Sequence, residues 1–147
     1  MRAAYLFVCF ILISTATLLA ADSSWPRWRG PNDGGSVAEG NYPSNLLDKT
    51  EQRWKIKLPG IGCSTPVIVG ERIFITGPIE GHNGVLALDW EGKEQWRTKL
   101  AAERRGKHRN GSAANSSPVT DGKLLFTYFK SGELAAERAL SAQLLAR

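Results

Sequence analysis

Residues 64–75, STPVIVGERIFI, and residues 116–126, SSPVTDGKLLF, lay down nearly the same order of apolar and polar positions. Aligning Pro66 with Pro118 brings Val67 onto Val119, Gly70 onto Gly122 and Phe74 onto Phe126, at one constant offset of 52. Further along, NGVLALD (83–89) matches SGELAAE (131–137) at an offset of 48, the intervening loop being shorter. A period near 50 marks propellers and related arrays, in which each unit buries its apolar face only against a neighbour.

Within one unit the pattern predicts strands. PVIV is a short apolar run stopped by Gly70-Glu71, and RIFIT follows, β-branched and aromatic. A loop containing Gly77, Pro78, Gly81 and Gly84 is expected next, then VLALDW. Asp89-Trp90-Glu91-Gly92 suits a type I turn, with Asp bonding the backbone and Gly relieving the exit into KEQWRTKL. Four strands joined by hairpins make one propeller blade. Trp54 in QRWKIKL and Trp96 in EQWRTKL each stand just before the next unit, where a large flat ring can pack between blades.

Taken together, S-x-P-V, G-x-x-hydrophobic, G-x-hydrophobic-x-A-L-D, x-x-G-K and x-x-W resemble the pyrroloquinoline-quinone-like β-propeller repeat. The pattern is most similar to the non-enzymatic, outer-membrane assembly factor B-like members, including exported proteins of planctomycete type. WPRWRGPNDGGS (25–36) also resembles the segment that precedes their first blade. The resemblance covers residues 25–136. It implies an all-β chain, a partial β-propeller of about one and a half four-stranded antiparallel blades, with 64–100 as the first blade and 116–136 as an incomplete second. It further implies that 52–58 is a closing strand that completes a last blade rather than the first. Trp25 and Trp28 are expected to clamp the leader segment, 22–51, onto the propeller face.

The two ends of the chain read differently. MRAAYLFVCFILISTATLLAAD has one early cation, an uncharged apolar run and small residues Ala20 and Ala21 before Asp22. That is the layout of a secretory signal over 1–21, expected as a helix and removed on export to the periplasm or beyond. The run also reaches the roughly 17 residues that an uncleaved anchor needs to cross a bilayer. At the other end, ERALSAQLLAR has neither turn glycine nor Trp and is rich in strong helix formers. Residues 137–147 are therefore expected as a short, non-repeat helical tail, read as the mark of a truncated or frame-shifted chain, with a genuine short C-terminal cap as the alternative.

Charge and cysteine content narrow the chemistry. The formal net charge is +5, and the cations are scattered except for ERRGKHR, so charge alone gives no argument for nucleic acid. Cys9 lies in the signal and Cys63 stands alone, which leaves no internal disulfide in an exported form. His82 and His108 have no second metal-type residue at ligand spacing. Quinoprotein enzymes with this repeat hold a calcium-bound quinone on the propeller axis, and a hard cation needs six to eight converging oxygen ligands. No such carboxylate cluster can be placed here, and Asp89 and Asp121 read as turn residues. No catalytic, cofactor-binding or metal residue is assigned, and no cofactor is expected.

The residues singled out are structural: Trp54, Pro66, Gly70, Asp89, Gly92, Trp96, Pro118 and Gly122. The insert between Trp96 and Ser116 is long for a connection between blades and carries Arg104, Arg105, Lys107 and Arg109. It is the candidate partner-binding loop, for another protein or an extended anionic ligand, with a solvated basic loop as the plainer reading. The function that follows is an exported, non-catalytic propeller scaffold. The alternative is the N-terminal part of a pyrroloquinoline quinone-dependent dehydrogenase whose active-site residues lie in further blades.

Overall fold

The computed structural model describes residues 24–36, 52–104, 111–139 and 144–146. Among them there is no helix. Eight strands form two antiparallel four-stranded sheets. The first comprises β1 (Val67–Val69), β2 (Arg72–Ile79), β3 (His82–Leu88) and β4 (Glu94–Ala102), paired consecutively. The second repeats that order with β5 (Val119–Thr120), β6 (Leu124–Tyr128), β7 (Leu134–Arg138) and β8 (Leu144–Ala146). Two blades of a partial propeller are thus in place.

Local turn chemistry explains the meander. Gly70 (φ +54°) opens the two-residue turn between β1 and β2, which pair Val69 with Arg72. Between β2 and β3, Glu80 (φ +50°) and Gly81 (φ +79°) both adopt positive φ, as the tightest hairpins require. The Asp89 turn forms as its sequence predicts. The Asp89 carboxylate accepts hydrogen bonds from the Glu91 amide (3.1 Å), the Lys93 amide (2.8 Å) and Gln95 Nε2 (2.7 Å). The Gly92 amide closes the turn onto the Asp89 carbonyl at 3.1 Å.

Three expectations need correction. The loop expected after RIFIT is mostly strand: β2 and β3 continue through Gly77↔Gly84 and Pro78↔Asn83 to Ile79↔His82. Glycine and proline are tolerated there for identifiable reasons. β1 pairs only with Arg72, Ile73 and Phe74, so the Pro78 nitrogen faces no neighbouring strand of that sheet. Gly84 leaves the space that the Ile79 side chain fills, for a Cβ at Gly84 would lie 2.5 Å from Ile79 Cδ1.

The second correction concerns the tail. Leu144–Ala146 is a strand, not a helix, and pairs with β7 through Ala136↔Ala146 and Glu137↔Leu144. β7 itself runs to Arg138, so the repeat does not stop at residue 136. Helix propensity is a weak prior, and an edge strand of unpaired N–H and C=O groups competes with it. The second blade therefore has four strands rather than half a set.

The third is a matter of register. Phe126 pairs with Ala136, whereas Phe74 pairs with Ala87. Leu134, Ala135 and Ala136 therefore stand where Val85, Leu86 and Ala87 stand, one step away from the plain sequence match. One step exchanges the two faces of a strand. The step decides which residues meet the neighbouring blade.

The main core lies between the blades. Val67, Phe74, Val85, Ala87 and Leu100 of the first blade join Leu125, Phe129, Ala135 and Ala139 of the second. Trp96 packs against this cluster, its ring centroid 5.7 Å from that of Phe74. A smaller cluster, Ile73, Leu86 and Leu88, occupies the opposite face of the first blade under Trp54 and Ile56. The signal, expected over residues 1–21, lies outside the described residues, as does most of 22–51.

Candidate functional site

The SxPV segments build a girdle along the edge where the blades approach each other. Ser64 Oγ accepts the Thr76 amide at 3.2 Å, tying the segment before β1 to β2. Thr76 Oγ1 in turn donates to the Ser116 carbonyl at the start of the second unit. The Thr65 amide donates to Ser117 Oγ at 2.9 Å, and the Cys63 amide to Asn115 Oδ1 at 3.2 Å. Each of these last two pairs joins positions 52 residues apart, which are equivalent positions of the two units. Equivalent positions touch when units are repeated side by side about a common axis. Asn115 Oδ1 also accepts the Ser112 amide (3.0 Å) and Ser112 Oγ (3.1 Å), and so shapes the end of the long insert.

The leader follows the same repeat. Trp25 exchanges two backbone hydrogen bonds of 2.9 Å with Ile68, and the Pro26 carbonyl accepts the Thr120 amide at 2.9 Å. Ile68 and Thr120 are again equivalent, so consecutive leader residues staple consecutive blades. Trp25 is half-buried and lies over Gly30, whose missing Cβ would come within 2.8 Å of the indole. Trp28 is 61% exposed, with the Arg29 guanidinium 4.9 Å from its ring centroid, and clamps nothing among the described residues.

A carboxylate holds the other end of the blade interface. Both Glu133 oxygens lie 2.9 Å from the Ala101 amide of β4, and Asn83 Nδ2 reaches Oε2 at 3.4 Å and Ser131 Oγ at 2.9 Å. No local sequence pattern pointed to Glu133, because its partner is a backbone amide on the other blade. Asn115 and Ser117 were likewise missed, although their spacing from Cys63 and Thr65 equals the repeat offset.

The residues singled out from sequence take these places. Trp54 belongs to neither sheet. Its Nε1 donates to the Trp90 carbonyl at 2.6 Å, and its ring lies over Gly92. Residues 52–58 are not a strand of either described blade. Trp96 lies in β4 on the face toward the second blade. Pro66 is exposed and Pro118 fully buried. Gly70, Gly92 and Gly122 all take positive φ, at +54°, +77° and +92°. Arg104 is exposed, whereas Arg105, Lys107 and Arg109 lie outside the described residues. His82 opens β3, half-buried, with Nδ1 3.0 Å from the Glu80 carbonyl oxygen.

Gly92 gives a prediction. An alanine there adopts a left-handed backbone at a cost of about 1–2 kcal/mol, and its Cβ would lie 2.7 Å from the Trp54 ring. Gly92→Ala is expected to lower stability by at least that amount and to expose Trp54. A red-shifted tryptophan emission below the unfolding transition checks it.

An open groove of about 360 Å³ runs between Ile56–Pro59 and the outer face of the first blade. Glu94 and Arg97 edge it, with Arg97 Nε 2.6 Å from Glu94 Oε1. Hydrogen bonding to Arg97 holds the Glu94 carboxyl below the usual range, so the pair stays ionised and nearly self-neutralising. In the second blade, amides of Leu124 (2.7 Å) and Lys123 (2.8 Å) donate to Asp121 Oδ1 and lower its pKa.

A depressed folded-state pKa contributes stability that is fully present above the unfolded value. That contribution is lost as pH falls through the folded value. The β5–β6 turn is therefore expected to loosen only in strong acid. Carboxyl chemical shifts should show Asp121 titrating below the ordinary aspartate range.

Among the described residues no three His, Cys, Asp or Glu side chains come together to hold a metal ion. The oxygen-rich set that a calcium-bound quinone requires is not assembled from them, and no catalytic step is derived through it.

A family model described as outer membrane protein assembly factor BamB matches residues 20–147. The chain belongs to this family. Both blades, the leader and β8 fall within the matched span. No curated protein matches the chain.

Proposed function

We propose that the chain is an exported, non-catalytic β-propeller repeat protein that acts as a scaffold for another protein. Family membership over residues 20–147 carries this reading. It is supported by the structural bonds across the blade junction, Thr65 to Ser117, Thr76 to Ser116 and Ala101 to Glu133. The charged start, apolar run and small residues of 1–21 support export with cleavage after Ala21.

The binding loop is the insert from Arg104 to Arg109. Four cations on a connection between blades favour an acidic protein surface or an extended anionic ligand. The test places a photo-crosslinking residue at position 104 of the exported chain. A discrete adduct is expected, and the combined Arg105→Glu, Lys107→Glu and Arg109→Glu variant should lose it. An adduct indifferent to those charges removes the loop from the account. Saturable dye-linked oxidation of alcohols or glucose, after addition of pyrroloquinoline quinone and calcium, overturns the scaffold reading itself.

A further inference from the structure

β1 and β5 each stand at the end of their sheet, so each keeps one edge that no strand of that sheet covers. The leader lies against both of these edges. Trp25 exchanges two backbone bonds of 2.9 Å with Ile68 of β1, and the Pro26 carbonyl accepts the Thr120 amide of β5 at 2.9 Å. Successive residues of an extended chain turn their N–H and C=O groups to opposite sides. Trp25 therefore serves the first blade and Pro26 the second, with the leader running between two equivalent edges.

The seat suits a strand, yet the leader fills it lightly. Trp25 makes one isolated bridge with Ile68 rather than a ladder. Pro26 takes the Thr120 amide but has no N–H to give in return. The Trp25 indole lies over Gly30, in a turn that the Gly30 amide closes onto the Arg27 carbonyl at 2.8 Å. That contact belongs to the leader and not to a blade. The Arg27–Asp33 ion pair is exposed on both partners, 47% and 67%, and such pairs hold little.

We propose that the edges of β1 and β5 form a binding site for an extended peptide segment of a partner protein, closed in the resting chain by the leader. Open sheet edges take up peptides by adding a strand. The seat names its occupant: an aromatic residue in the place of Trp25, followed by a residue that keeps its N–H. The Thr120 carbonyl faces the same side as its amide, so that N–H supplies the bond that proline lacks. The leader is tethered through residues 37–51 and competes at an effective concentration on the order of millimolar. This site uses no residue of the basic insert and does not rest on it.

The probe is a dye-labelled peptide of residues 23–36, tested on the full chain as wild type, Gly30→Val and Trp25→Ser. A valine at position 30 has to adopt φ +73° with its Cβ 2.8 Å from the Trp25 ring, which unseats the leader without altering a blade. In both variants the Ile68 and Thr120 amides should lose at least about tenfold in hydrogen-exchange protection, while amides of β2 and β3 keep theirs. By fluorescence anisotropy the peptide should bind both variants at least about tenfold more tightly than wild type and restore that protection. A Pro26→Ala peptide should bind ~2- to 10-fold more tightly than the same peptide methylated on that nitrogen.

Continued protection of Ile68 and Thr120 in both variants, or its loss throughout β2 and β3, would make the leader a fixed part of the fold and overturn the proposal. So would a peptide that binds the variants no more tightly than wild type, or methylation without effect. Wild-type dimers that the peptide dissolves in sedimentation would give the seat to the leader of a second copy, which overturns the assignment to a partner protein.

Discussion

Phe74→Ala is expected to destabilise the protein by about 3–5 kcal/mol, the range for truncating a buried aromatic. Phe74 is fully buried and tilts against Trp96 across 5.7 Å, within the cluster shared by both blades. Its loss empties the junction rather than the interior of one sheet, so both blades should loosen together. Small domains have only about 5–15 kcal/mol of stability in all. The melting midpoint should therefore fall by roughly 10–20 °C. Urea denaturation followed by tryptophan fluorescence and by circular dichroism checks the magnitude. Coincident transitions by the two probes check that the blades unfold as one unit. A loss below 1 kcal/mol would mean that the blades do not bury this ring between them.

Glu133→Ala carries the second large effect. Removing the carboxylate leaves the Ala101 amide of β4 and the Asn83 side-chain amide short of acceptors. An unsatisfied, partly buried donor costs about 1–3 kcal/mol. Glu133→Gln keeps a carbonyl oxygen for the Ala101 amide and should cost less than the alanine. Hydrogen exchange localises the effect: the Ala101 amide should lose protection in the alanine variant more than amides of β1 and β2. Equal losses for the two variants would mean that Glu133 is packing filler and not an acceptor linking the blades.

The parts of the fold legible in the sequence are those built from neighbouring residues. Apolar alternation, the Gly70 turn and the Asp89–Gly92 turn each fit within a few residues, and each forms as its sequence predicts. Recurrence at an offset of 52 was enough to pair the two units. The same offset reappears physically in the Thr65–Ser117 and Cys63–Asn115 contacts.

What was misread depends on partners remote in sequence. Gly77, Pro78 and Gly84 signal a loop when read locally, but Ile79 and the open edge of β2 keep them in strands. ERALSAQLLAR favours a helix in isolation, yet β7 offers it an edge. Trp25 and Trp28 both offer a large ring to the propeller face, but among the described residues Trp25 meets a strand edge, at Ile68, and Trp28 stays exposed. Glu133 and Asn115 left no signature, since a side chain that accepts a backbone amide of another unit imposes no residue type on its partner. Of the basic loop, only Arg104 falls among the described residues, and it is exposed.

Two like sheets are fixed to each other through equivalent positions at their shared edge. A nuclear Overhauser effect between the Thr65 amide proton and the β-protons of Ser117 tests it most directly. With the amide 2.9 Å from the serine Oγ, a strong cross-peak is predicted in the folded protein and none in urea. Two well-dispersed sheets with no cross-peak between these residues would contradict the account.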